Sequence, residues 1–317
     1  MADIVTLTIN PTIDVSTSVD RVTPTRKLRC TEARRDPGGG GINVARVIKR
    51  LGGSVSAVYP AGGDTGLLLR HLLDAEGIES LPIAIAEETR IAFTVAEEAT
   101  HKQYRFVLPG PAVEEKAWRA ALDVLAAVKP DPRFIVASSS LPPGVPHDFY
   151  AVAARIAKQR GARFVLDTSG PALDAALKEG VYLVKPNLRE LRELVGASPA
   201  DDAALVTACR NLVRDRRAEV VALTLGQRGA LLVTPSQTLR GDAPRVEVAS
   251  AVGAGDSFLG AMVWRLAARG GVEEAFRYGV AAGSAAVLRP GTDLCWPQDV
   301  ERFYPQVAVK EVRPAAA

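Results

Sequence analysis

The sequence predicts an α/β protein: a mostly parallel central sheet covered by helices on both faces, with a small β-sheet lid set apart from it. Two observations predict this. Short apolar runs, bounded by turn or charged residues, alternate with segments of helical apolar spacing along most of the 317 residues. That is the pattern of a parallel sheet whose crossovers are helices. Two stretches break the rhythm by alternating polar and apolar residues, as strands with one wet face do.

Taken in order, residues 4–9 open the chain with a β-rich run. Residues 41–51 have helical spacing, with Ile42, Ala45, Val47, Ile48 and Leu51 on the apolar stripe. Residues 54–59 read as a strand ending at Pro60, and residues 65–75 as a helix. Further strands are expected at 134–137, 164–166, 182–184 and 220–224, with helices near 114–128, 147–159, 187–195 and 203–214. A long apolar helix is expected from Asp256 to about Ala268. The interruptions, 15–35 and 90–107, carry many Thr, Arg and charged residues and read as antiparallel strands. The economical division is one unit over 1–317, with lid insertions at approximately 12–36 and 88–108. An exposed β-face on such a lid needs a cover, which makes a homodimer through the lid the expected assembly. No internal repeat is visible, and only the Pro314–Ala317 tail reads as frayed.

Hydrophobic residues at 47% and charged residues at 24% exclude a wholly disordered chain. The net charge of +3 is too small to argue for nucleic acid. Cys30, Cys209 and Cys295 are scattered and form no CxxC, so neither a disulfide framework nor a zinc knuckle is indicated. His71, His101 and His147 are equally scattered. The first residues lack the basic and apolar blocks of a signal peptide, and no apolar run approaches the roughly 20 residues that span a bilayer. A cytoplasmic location, with no membrane partner, is the expectation.

Four motifs carry chemistry. In Pro37–Arg46, four consecutive glycines, Gly38 to Gly41, feed directly into a helix. They let the backbone approach a ligand and aim free N–H groups at it. The segment is neither the dinucleotide fingerprint nor a Walker loop. Asn43 on the first turn can contact sugar hydroxyls, although taken alone such an Asn is more often a cap. In Ser250–Phe258, small residues lead into the long helix. The amides of Gly253, Ala254 and Gly255 can form a concave donor surface for an anion at a positive helix end. Asp256 sits in the first turn, bracketed by glycines that a simple capping acid does not need.

In Lys185–Leu191, Asn187 and Glu190 are three apart at a helix start. A capping box accounts for this pair without any function. The same oxygens can also organise a hydrated Mg²⁺, which takes few protein ligands. The fourth motif, Thr224–Ala230, brackets a turn with Gly226 and Gly229. It reads as a hairpin connection that would hold phosphate or ribose if it lay beside a nucleotide.

With these residues in view, the sequence resembles the ribokinase-type (PfkB) family of carbohydrate kinases. The four motifs occur in the family's order, and the resemblance runs from about residue 4 to residue 305. Thr6–Asp14 resembles the family's phosphosugar-kinase branch. Lys27–Cys30, Gln103–Phe106, Ser140–Val145 and Gly279–Ala286 resemble its minor 6-phosphofructokinases. The 1-phosphofructokinases typically carry Lys within the first glycine run, where this chain has Gly40.

The resemblance implies a ribokinase-like three-layer fold and ATP-dependent phosphorylation of fructose 6-phosphate at O1. In the same class, 1-phosphofructokinase and tagatose-6-phosphate kinase remain open. A non-catalytic sugar-phosphate sensor is the alternative from another class. A nicotinamide oxidoreductase is weaker again, because no Rossmann fingerprint follows a strand.

By the same resemblance Asp256 is the base, with Gly253, Ala254 and Gly255 holding the transferring phosphoryl group. Asp14, Gly38, Gly39 and Asn43 face the sugar, and Lys27, Arg90 and Ser139 its 6-phosphate. Lys185, Asn187, Thr224, Gly226, Gly229 and Ser284 face ATP, and Asn187 and Glu190 hold Mg²⁺ through water. A K⁺ ion is implied on the backbone of Ser250, Val252, Ala286 and Gly291. The chain departs from the pattern there, with Arg289, Pro290 and Asp293 close by. An Arg opposes K⁺ unless its side chain points away.

Overall fold

The first strand, β1 (Ile4–Leu7), is buried at all four positions because it lies between two parallel neighbours, with Ile4 opposite Val55 on one side and Phe134 on the other. The computed structural model from which this is read describes residues 3–199 and 201–312; the Pro314–Ala317 tail lies outside the described residues. From β1 the chain forms β2 (Thr12–Val19), β3 (Arg34–Gly38), α1 (Gly40–Arg50), β4 (Val55–Ala61), α2 (Gly63–Ala75), β5 (Glu79–Ala84), β6 (Arg90–Glu97) and β7 (Lys102–Val107). Next come α3 (Glu115–Ala127), β8 (Phe134–Ser138), α4 (Phe149–Gln159), β9 (Arg163–Asp167), α5 (Gly170–Lys178), β10 (Val181–Val184), α6 (Leu188–Val195), α7 (Asp202–Arg214) and β11 (Ala218–Thr224). The chain ends with β12 (Ala230–Val233), β13 (Thr238–Asp242), α8 (Ala254–Ala267), α9 (Val272–Ala286), α10 (Pro297–Phe303) and β14 (Ala308–Glu311).

Among the described residues the large sheet has ten strands in the order β14-β13-β12-β11-β10-β9-β8-β1-β4-β5. The run from β11 to β5 is parallel, and β12, β13 and β14 add an antiparallel margin. Two hydrophobic cores cover its faces. One packs α1, α8 and α9 through residues such as Ile48, Leu259 and Phe276; the other packs α3, α4 and α7 through Leu125, Phe149 and Cys209. Residues that leave the carboxyl ends of β1, β8, β9, β10 and β11 therefore gather along one edge, where open α/β sheets bind ligands.

The lid is a separate sheet in the order β3-β2-β6-β7. Its two hairpins, β2–β3 and β6–β7, are antiparallel as expected, but β2 and β6 pair in parallel, from Thr12 opposite Arg90 to Val19 opposite Glu97. The antiparallel expectation is corrected there. β2 follows β1 and β6 follows β5, so both leave the large sheet from the same edge and run outward side by side. A smaller correction concerns β4, which continues through Pro60 to Ala61, with Pro60 held opposite Ile83. Phe93 and Phe106 face each other across β6 and β7 and are exposed on one surface of the lid, and Val107 and Leu108 are exposed where β7 ends. No helix among the described residues is long and apolar enough to cross a membrane.

Helices α1 and α8 carry the two glycine-rich starts and pack directly on each other. Their closest approach is at Gly260, where a Cβ would stand 2.9 Å from the Cβ of Val47 and 3.1 Å from the carbonyl oxygen of Val44. A larger side chain has nowhere to go, since both helices are fixed against the sheet. Gly260→Val is expected to cost about 1–3 kcal/mol through overpacking. Urea unfolding with an unchanged midpoint would contradict this packing.

Candidate active site

At the start of α8, Gly253 adopts a left-handed conformation with φ 75°. It turns the chain so that Asp256 enters the helix on the side facing α1. The amide of Ser257 already donates to the Gly253 carbonyl, at 2.8 Å. The amides of Gly255 and Asp256 lie ahead of the first helical acceptor and are available to an anion.

The Asp256 carboxylate accepts a hydrogen bond from Asn43 Nδ2 at 2.8 Å, joining residues 213 apart in sequence. Asn43 Oδ1 is buried without a partner. Asp256 is half-buried, and burial pushes its pKa up to about 6; Asp167 pushes the same way, while Asn43 and Lys185 pull it back.

Asp14 is a second buried carboxylate that acts electrostatically on Asp256. Its carboxyl fills the space over Gly38, where a Cβ would stand 2.4 Å from Oδ2. Gly38 is therefore required by close approach rather than by flexibility. Burial raises Asp14 to about 6, and the positive charges of Arg105, Arg46 and Arg90 oppose the rise. Gly39, at φ 107°, completes the turn into α1.

Asp14, Gly38, Gly39, Asn43, Arg90 and Asp256 are thus brought together. Arg90 is half-buried and its guanidinium donates to the carbonyls of Asn10, Pro11 and Leu108 at 3.1–3.3 Å. Lys27 is not drawn in: it lies in the exposed connection 20–33, with no hydrogen bond or ion pair among the described residues. The Ser139 hydroxyl is turned towards Tyr150, 2.9 Å from its phenolic oxygen, and donates to the Ser140 carbonyl. Sequence reasoning passed over Arg105, which acts electrostatically on both Asp14 and Arg90. Its only signal was an Arg in the alternation of a lid strand.

On the other side of Asp256 lies a cleft of about 920 Å³. It is lined by Lys185, Asn187, Thr224, Gly226, Gly229 and Ser284, together with Ala254 and Gly255. All six residues that the sequence assigned to a nucleotide therefore share one cavity with the amide donors of α8. Its apolar wall, including Val246, Val248, Val280 and Val287, was not foreseen; part of it comes from the aperiodic segment between β13 and α8.

Lys185 is 5% exposed, and its Nζ sits 3.2 Å from Asp167 Oδ1. Burial pulls the ammonium pKa down, but Asp167, Glu190 and Asp256 outweigh it, so the net shift is upward. Asp167, the last residue of β9, was also missed. An acid at the carboxyl end of a parallel strand was the available signal.

Asn187 and Glu190 form a reciprocal capping box. Asn187 Oδ1 accepts from the Glu190 amide at 3.0 Å, and Glu190 Oε2 accepts from the Asn187 amide at 2.9 Å. This leaves Glu190 Oε1 outside the capping box. Burial raises the Glu190 pKa. No cluster of three or more His, Cys, Asp or Glu side chains suited to a metal occurs among the described residues. Asn187 and Glu190 are two oxygen-bearing side chains at one helix start, a donor set of the kind a cation that keeps its water would use.

At the implied K⁺ position, the Arg289 guanidinium is drawn to Asp299 on α10. That pairing meets the guanidinium's charge. Gly291 is packed against Ser16 of the lid, and the Ser250 hydroxyl accepts from the Val252 amide at 3.2 Å.

Residues 1–299 match the pfkB family carbohydrate kinases. The chain belongs to that family. An ATP-dependent 6-phosphofructokinase isozyme 2 of Mycobacterium tuberculosis is 46% identical over 301 residues, covering 95% of this chain and 88% of that protein. The crystal structure of phosphofructokinase-2 from Escherichia coli in complex with potassium superposes with a TM-score of 0.92 at 41% identity, covering 96% of this chain and 99% of that one. The same enzyme in complex with fructose-6-phosphate gives 0.91 at 40% identity, with the same coverage. The three-layer ribokinase-like arrangement described above is this kinase family's fold.

Lys185 lowers the pKa of Asp256, so Lys185→Met is expected to raise it above about 6. The carboxyl titration is followed by ¹³C NMR in an Asp14→Asn background, which removes the other raised aspartate. An unchanged midpoint would take Lys185 out of the electrostatics of Asp256.

Proposed function

We propose that this chain is an ATP-dependent 6-phosphofructokinase that converts fructose 6-phosphate to fructose 1,6-bisphosphate. The observation that carries the reading is the Asn43–Asp256 hydrogen bond, which ties the glycine-rich start of α1 to the start of α8, where Ala254 and Gly255 line the nucleotide-sized cleft. In this reading the O1 hydroxyl forms a bond to the γ-phosphorus as the bridging bond to the β-phosphate breaks. The O1 proton passes to Asp256, and ADP leaves.

Catalysis then rests on placement and charge rather than covalent chemistry. Lys185 and the amides at the start of α8 receive the shifting charge; Asn187 and Glu190 would hold a Mg²⁺ through its water, and that ion would supply charge neutralisation for the phosphates. Asn43 orients Asp256 and presents its buried Oδ1 to a sugar hydroxyl. Arg90 and Arg105 meet the 6-phosphate; Lys27 joins them when the lid, residues 12–36 and 88–108 of one catalytic unit, is covered by a second copy across Phe93 and Phe106. K⁺ beside α8 fits the backbone oxygens of Ser250, Val252, Ala286 and Gly291, now that Arg289 faces Asp299. Three unpaired cysteines suit a reducing cytoplasm. Gly40, where Lys marks the 1-phosphofructokinase branch, supports fructose 6-phosphate over fructose 1-phosphate as the acceptor.

A base must be ionised to accept a proton. kcat/KM is therefore expected to fall as pH drops through about 6, where Asp256 takes up its proton, and to level off above it. Asp256→Asn is expected to lower kcat by at least about 10² with sugar-phosphate binding retained. The check is a coupled ADP-release assay across pH with fructose 6-phosphate, fructose 1-phosphate, tagatose 6-phosphate and unphosphorylated sugars; near-normal turnover in the variant removes the assigned base.

Arg90→Ala and Arg105→Ala are each expected to raise KM for the phosphosugar about tenfold or more while KM for ATP stays within about twofold. Sugar KM values left at the parent level in both would move the phosphate elsewhere.

A further inference from the structure

Arg46 is among the most deeply buried large side chains of the protein, at 1% exposure. It lies one helical turn beyond Asn43, and i, i+3 residues share a helix face. The same face of α1 thus carries the ligand of Asp256 and a buried guanidinium. That guanidinium spends its donors on four acceptors in three separate segments. Nε donates to Glu76 at the end of α2, at 2.8 Å. Nη1 donates to the carbonyl of Pro37 at 3.0 Å and to the carbonyl of Thr292 at 3.1 Å. Nη2 reaches Asp36 at 3.4 Å.

Each partner has a defined place. Asp36 and Pro37 belong to β3, the strand by which the lid re-enters the body, and the next residue is Gly38 over Asp14. Thr292 lies 246 residues away in the loop after α9. Asp36 ties the two together again: it accepts hydrogen bonds from Nε and Nη2 of Arg34 and from the hydroxyl of Thr292. Arg34 in turn reaches Asp293 at 3.3 Å.

We propose that Arg46 is a positioning residue for sugar binding, fixing the glycine run and the lid hinge against the body. A buried ion pair is a poor source of stability, since well-packed apolar residues often do as well. What the guanidinium supplies, and an apolar side chain does not, is a rigid fork that sets two backbone carbonyls and two carboxylates at once. Pro37 is one peptide from Gly38, so loosening its carbonyl displaces the surface that meets the sugar. The nucleotide cleft is lined by residues of β11, β12, α6, α8 and α9 and the loops beside them, none of which touches Arg46 through these bonds. The inference rests on the phosphofructokinase reading.

The test is Arg46→Lys, which keeps the charge but cannot span all four acceptors. Initial rates are measured against fructose 6-phosphate and ATP, alongside thermal unfolding. Sugar KM is expected to rise at least about tenfold, with ATP KM and kcat within about threefold of the parent. A lower melting temperature with both KM values unchanged, or with both raised alike, would mean a merely structural role and overturns the proposal. If Arg46→Lys does not fold, Glu76→Gln, which loosens one edge of the guanidinium from a half-buried partner, must show the same split at smaller size; its absence overturns the proposal equally. A parent chain inactive on every phosphosugar overturns the underlying reading and this inference with it.

Discussion

The hydrogen bond from Asn43 to Asp256 is the constraint on which the rest of the site depends. It is one 2.8 Å contact, but it fixes the starts of α1 and α8 relative to each other. Each start is a glycine-rich turn that cannot be placed by side-chain packing, because it has almost no side chains. The packing that does exist lies further along the helices, at Gly260 against Val47. Backbone amides are useful to a ligand only when left unfilled, and unfilled amides are held in place from outside. Here the sheet edge and the α1–α8 contact do the holding, and the Asn–Asp bond sets the final register.

The same crowding explains the electrostatics. Asp14 and Asp256 are both pushed to about 6 by burial, against the cations that face them. Such groups are unfavourable in the empty protein and become useful when a substrate supplies hydroxyl donors. Lys185 shows the reverse logic. It is buried yet kept charged by Asp167, Glu190 and Asp256, so a fixed positive charge waits beside a cleft suited to phosphate. A lone carboxylate at the same depth would simply hold its proton.

The fold was legible where periodicity was strong. The buried strands β1, β8, β9, β10 and β11 and the helices α1, α3, α4 and α7 announce themselves as apolar runs or stripes. The glycine-rich starts of α1 and α8 announce themselves because helices rarely begin that way. What escaped was whatever lacked a one-dimensional signal. The second half of α9, from Gly279 to Ala286, is made of Ala, Gly, Val and Ser and is buried almost throughout, so no polar face marks its period there. The parallel pairing of β2 with β6 is set by the edge from which each insertion departs, which no local pattern records. Asp167 and Arg105 are single residues whose significance comes from neighbours distant in sequence. Ser139 and Lys27 were legible as polar and basic, but not in the direction they take: Tyr150 claims the first, and the second stays exposed.

The lid's attachment is where these threads meet. A sheet joined to the body only by flexible peptides would leave Arg90 and the glycine run free to drift by the ångström or so that matters for positioning. Instead β2 and β6 enter together in parallel. Arg90 is tied to the backbone of Asn10 and Pro11 at the root of β2, and β3 returns through the charges around Asp36 and Arg46. Gly291, in the loop after α9, packs against Ser16 of β2, and Gln103 of β7 donates to the Ala249 carbonyl in the segment before α8. The roots of the lid are thus rigid while its far face, with Phe93 and Phe106, remains open. The residues nearest Asp256 are therefore held by the roots and do not depend on that far face.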